Sequence, residues 1–146
     1  MERVYMQYPV SASCQCGQVS YELAVPPQKV IACHCQECQK LSTSPFSVTA
    51  VVPQHTIQFT GEMKEWSRIA ESGNENRAKF CPQCGTRIYH YNPQSPDIIK
   101  LKMKPVGASV DTSFAPTMHI FVSENPSWYL LPKGIISYEK GVIPST

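Results

Sequence analysis

The stretch that decides the fold is Arg77-Ala78-Lys79-Phe80-Cys81-Pro82-Gln83-Cys84-Gly85-Thr86-Arg87-Ile88-Tyr89-His90. Phe80 precedes the two cysteines, and Thr86, Ile88 and His90 alternate after them, which is the period of strands joined in a hairpin. Two cysteines separated by two residues wrap a tight turn, so both sulfurs can reach one tetrahedral ion. Gly85 lets the chain take a positive φ just past that turn. A redox dithiol shares the spacing but normally opens a helix in a βαβ context. The hairpin setting points instead to zinc.

Working outward, two further clusters appear: Cys14-Gln15-Cys16 and Cys33-His34-Cys35-Gln36-Glu37-Cys38. Residues two apart on a strand point to the same side, so Cys14 and Cys16 can offer two sulfurs to one ion. With Cys81 and Cys84 they would complete four thiolates, the closed set of a structural zinc. The middle cluster supplies three cysteines without an obvious fourth ligand. Three protein ligands and an open position are the arrangement of a catalytic zinc, and a histidine among His34, His55, His90 and His119 would close it as a structural one. Spacing alone leaves open which clusters pair.

Between the clusters, alternation of apolar and polar residues dominates. Val19, Tyr21, Leu23 and Val25 share one strand face, as do Phe46, Val48, Ala50 and Val52, and Ile57 with Phe59. Ile99, Leu101 and Met103 point inward with Lys100, Lys102 and Lys104 outward, a face able to attract an anionic substrate but read rather as a solvated strand face. Met118, Ile120 and Val122 oppose His119 and Phe121, which puts His119 towards solvent or a cleft. Trp66 and Trp128 are candidates to line a pocket but are read rather as core aromatics. Turn signals such as Pro26-Pro27, Ser72-Gly73-Asn74 and Pro105-Val106-Gly107 separate the runs. Only Cys35–Leu41 reads as a short helix. The expectation is a mostly β fold of antiparallel strands with little helix, in one domain over residues 1–146 with its core at about 13–138.

Composition narrows the function classes. In 146 residues there are 13 prolines and a charged fraction of 16%, which disfavours long helices. A net charge of +2 is too mild for a nucleic-acid footprint. No apolar run approaches the roughly 18 residues needed to span a membrane, and the amino terminus lacks a secretory pattern. Seven cysteines, an odd number in close-spaced groups, fit a reducing cytoplasm and metal binding better than a disulfide framework.

These residues resemble the glutathione-dependent formaldehyde-activating enzyme family, which includes centromere protein V. The resemblance runs from Ser13 to Tyr138 and rests on Ser13-Cys14-Gln15-Cys16-Gly17, on Cys33 through Lys40, on Ser44-Pro45-Phe46, on Arg77 through Thr86, on Pro116 through Ile120, and on Trp128. It implies a β-tent of stacked sheets, a structural zinc on Cys14, Cys16, Cys81 and Cys84, and a second, catalytic-type zinc on Cys33, Cys35 and Cys38. It also implies a carbon–sulfur lyase resembling S-(hydroxymethyl)glutathione synthase, which joins formaldehyde to a small thiol such as glutathione. The alternative is a non-catalytic zinc module that binds a protein partner.

Lys40, Ser42 and Thr43, close after Cys38, are the expected substrate contacts. Family members commonly carry Ser-Gly-Ser where this chain reads Ser42-Thr43-Ser44. A threonine there resists the conformations glycine adopts and narrows close backbone approach.

Overall fold

The computed structural model describes residues 6–141. Its first half contains β1 (Val10–Ser13), β2 (Ser20–Leu23), β3 (Lys29–Cys33), the short helix α1 (Gln36–Ser42), β4 (Ser47–Pro53) and β5 (Ile57–Thr60). β6 (Lys64–Ile69), β7 (Glu75–Phe80), β8 (Arg87–Tyr91) and β9 (Ile98–Leu101) follow, then β10 (Met118–Ile120) and β11 (Ile136–Ser137). The expected mostly β fold with little helix is what the chain adopts. No helix among the described residues is long and apolar enough to cross a membrane.

Two sheets form: β1-β2-β5, and an eight-stranded sheet in the order β11-β10-β3-β4-β9-β8-β7-β6. Antiparallel pairing prevails, except that β10 runs parallel to both β3 and β11. That exception joins residues far apart in sequence, placing His119 opposite Ala32 and Ile120 opposite Cys33.

The core lies between the sheets. Val10 and Ala12 of β1 and Tyr21 and Leu23 of β2 meet Ala50 and Val52 of β4 and Ile99 and Leu101 of β9. Each such leucine or isoleucine contributes about 2 kcal/mol of burial free energy. Tyr21 meets its cross-strand partner Phe59 edge-on at 5.8 Å, and Phe59 stacks across the gap on Tyr89 at 4.7 Å. The Tyr21 hydroxyl donates to the Met103 carbonyl at 2.6 Å. Gly61 is required where the chain turns after β5, because a Cβ there would stand 2.0 Å from the Gln18 carbonyl oxygen.

The hairpin is less regular than its sequence. Lys79 pairs with Tyr89 and Phe80 with Arg87, so Ile88 is an extra residue in β8. Such a bulge reverses side-chain parity along the strand. Ile88 is buried in the core with Tyr89 packed against it, and Arg87 and His90 lie together on the opposite face. The expected alternation of Ile88 and His90 on one face therefore fails, for this geometric reason.

Candidate metal centres and the cavity beside them

Two tight turns bring the first cysteine group together. Past β1, Gly17 N–H donates to Cys14 O at 3.0 Å, and Cys14 N–H to Val19 O at 2.9 Å. Between β7 and β8, Gly85, with φ +81°, donates to Cys81 O at 2.9 Å, and Cys81 N–H donates to Thr86 O at 3.0 Å. The four sulfurs of Cys14, Cys16, Cys81 and Cys84 lie within 4.8 Å of one another. Cys14 and Cys16 are 3.7 Å apart, and Cys16 and Cys81 3.6 Å. A tetrahedron with metal–sulfur bonds near 2.3 Å has edges of about 3.8 Å, so the spacing suits zinc. It is far beyond the roughly 2.05 Å of a disulfide. Hydrogen bonding from Thr86 holds the Cys84 thiol down to about 5, favouring the thiolate a metal needs.

The second group forms where β3 hands over to α1. Cys33 ends the strand, Cys35 caps the helix by accepting from Cys38 N–H at 3.4 Å, and Cys38 sits in the first turn. Their sulfurs also fall within 4.8 Å of one another. Hydrogen bonds from Cys33 and Cys35, aided by the Lys102 ammonium, hold the Cys38 thiol down to about 2. Cys33 is pushed the other way by the same hydrogen bonds and by burial.

The linking segment is clamped from outside. Gln36 N–H donates to Glu124 Oε1 at 2.8 Å, and Gln39 Nε2 donates to the carbonyls of His34 and Glu124. None of the four histidines brings a ring nitrogen into this group. His34 is fully buried, its Nε2 2.8 Å from Nδ1 of His119. His119 is itself 3% exposed, not turned to solvent or a cleft, because Phe46 and Tyr129 roof the pair.

The three-cysteine group opens onto a cavity of about 1110 Å³ built on the free face of the eight-stranded sheet. Thr49 and Val51 of β4, Lys100 and Lys102 around β9, and Ala78 of β7 form its floor. Lys100 and Lys102 therefore flank a cavity, which corrects their reading as a solvated face. Lys102 Nζ donates to Thr49 Oγ1 at 2.6 Å and Ser47 Oγ at 3.3 Å. Lys104 folds back onto the carbonyls of Val48 and Lys102.

Residues 9–124 match the sequence profile of the glutathione-dependent formaldehyde-activating enzyme family. The chain belongs to that family. A crystal structure of a Rhodobacter sphaeroides protein is also similar, at 13% identity and a TM-score of 0.49, covering 88% of this chain and 98% of that one.

Within this formaldehyde-activating family chain, the loop after Cys38 is divided in its placement. Lys40 lines the cavity and pairs with Glu37 at 3.1 Å. Ser42 Oγ donates to Cys38 O at 2.7 Å and borders a smaller recess of about 360 Å³. Thr43 caps α1 in the left-handed region at φ +48°, so the threonine does adopt the conformation that glycine favours. Trp66 lines the cavity and Trp128 is exposed, so neither is a core aromatic. Arg87 and His90 both lie on the cavity wall; the sequence reading missed Arg87 and took His90 only as a candidate ligand, because the bulge that aims them leaves no period-two trace.

Proposed function

We propose that this family member is a zinc-dependent carbon–sulfur lyase acting on a small thiol adduct, in the manner of S-(hydroxymethyl)glutathione synthase. The observation that carries this reading is the position of Cys33, Cys35 and Cys38 at the wall of a large cavity with no fourth protein ligand among the described residues. Cys14, Cys16, Cys81 and Cys84 would hold a structural zinc and the other three a second one. The chain is read as one domain, and its free thiols suit a reducing cytoplasm.

Zinc with three protein ligands supplies a Lewis acid and an open position for a thiol or a carbonyl oxygen. The chain's own residues do the rest. The cavity has room for a tripeptide-sized thiol, and its walls hold the reacting sulfur near an aldehyde carbon. Addition forms one C–S bond, moves the carbonyl electron pair to oxygen and leaves the thiol proton on that oxygen. Lys102 beside Cys38 retains one N–H beyond those given to Thr49 and Ser47, a donor for that developing charge. Lys40, Ser42 and Thr43 are the proposed contacts at the loop edge.

The test is a zinc count on the purified protein combined with formaldehyde consumption in glutathione. Two zinc per chain and glutathione-dependent consumption are expected. Zinc-loaded protein that takes no thiol would sink the enzyme reading. The exposure of Trp128 (72%) and Leu130 (84%) is what favours the second reading, a partner-binding zinc module.

A further inference from the structure

The charges around the cavity are unevenly satisfied. Each carboxylate on its wall has a partner: Glu37 is paired with Lys40, Glu71 with Lys140, and Glu124 accepts from Gln36 N–H. The cations do not balance in the same way. Among the described residues no carboxylate lies within ion-pairing distance of Arg68, Arg87, Lys100 or Lys102. Lys100 and Lys102 face the sulfur cluster, and Arg87 has Arg68 and Cys38 as its charged neighbours but no carboxylate.

Arg87 is also held in one pose. Its Nη1 donates to Nε2 of buried His90 at 2.9 Å, and its Cζ lies 5.9 Å from the Trp66 ring centroid. His90 must accept at Nε2, so it is neutral with its proton on Nδ1. A neutral partner fixes the guanidinium without neutralising it, leaving its other N–H groups unpartnered among the described residues, on a residue that lines the cavity. Both Arg87 and Lys102 also border the smaller recess, where Lys104 is a third cation. A half-buried guanidinium with no hydrogen-bonded anion is costly, and a carboxylate matches its fork geometry.

We propose that Arg87, positioned by His90 and Trp66, anchors a carboxylate of the thiol substrate, so that the site selects anionic thiols over neutral or cationic ones. The proposal rests on the thiol reading given above and adds the residue that sets its specificity. The bulge after Cys84 is what makes the anchor possible, because regular pairing would leave Arg87 and His90 on opposite faces.

Calorimetric titration of the zinc-loaded protein with glutathione, S-methylglutathione and cysteamine tests this. Arg87→Gln should weaken glutathione by about tenfold to a hundredfold, the range expected for losing a charged hydrogen bond. Cysteamine binding, zinc content and melting temperature should not change. Trp66→Leu, on an edge strand, should weaken glutathione by a smaller factor and covers the case in which Arg87→Gln does not fold. Glutathione and cysteamine binding that is indifferent to Arg87 and Trp66 overturns the anchor and leaves the thiol reading standing. S-methylglutathione binding as tightly as glutathione, in an Arg87-dependent way, keeps the anchor and removes sulfur from recognition. Binding of none of the three ligands overturns both.

Discussion

His34 Nε2 and His119 Nδ1 lie 2.8 Å apart in a stacked pair that ties the end of β3 to β10. One ring must donate and the other accept, so the pair is stable with both rings neutral, and burial lowers the pKa of each. The consequence reaches the candidate metal centre, since His34 stands between Cys33 and Cys35. His119→Ala leaves a void and an unpaired buried nitrogen, for an expected loss of about 2–4 kcal/mol. Denaturant unfolding checks it, and His119→Ala at wild-type stability would show the pair to be incidental.

The two cysteine groups should respond differently to substitution. Cys81 is buried in the core, and a closed structural zinc contributes on the order of 10 kcal/mol to folding. Cys81→Ser is expected to abolish soluble protein. Cys35 is half-buried at the cavity wall, so Cys35→Ser should keep the fold and drop one zinc per chain. Metal analysis and circular dichroism read both, and simultaneous loss of both ions with unfolding in Cys35→Ser would mean one coupled centre.

Thr43 is a β-branched residue held at φ +48° and ψ +41° on an exposed turn. That conformation costs roughly 1–2 kcal/mol for an L side chain, while glycine's extra freedom in the unfolded chain returns about 0.5–1 kcal/mol. Thr43→Gly should therefore stabilise the fold by about 0.5–1 kcal/mol. If it opens the loop beside Cys38 as well, glutathione affinity rises in the same titration. A lower melting temperature would show that the Thr43 hydroxyl bond to Ser42 O matters more than the strain.

His90 carries a pH prediction. Burial, then Lys102 and Arg87, hold its imidazole down to about 2 against an unfolded value near 6.5. Its folded pKa is depressed, so the unfolded chain binds the proton first and stability falls as pH drops below about 6.5. The expected slope is about 1.4 kcal/mol per pH unit from this one group. His90→Gln, compared with wild type between pH 6.5 and 5, should show a shallower loss. Parallel curves would mean that His90 protonates in the folded state.

Local features of the fold are legible in the sequence. Cys81–Cys84 and Gly85 specify a turn whatever surrounds them, Cys35 reads as the start of a helix, and the alternation in β2 and β9 marks buried faces correctly. These features are legible because turn geometry and strand period are set within a few residues. The remaining features depend on contacts between distant segments. Which side of β9 meets solvent depended on the cavity that β6, β7 and α1 enclose, so Lys100 and Lys102 could not be placed by period alone. The burial of His119 came from the parallel pairing of β10 with β3, a contact 87 residues apart at Met118 and Ile31. The joint position of Arg87 and His90 came from one extra residue in β8. A bulge is fixed by pairing between strands, and no pattern within a single strand records it.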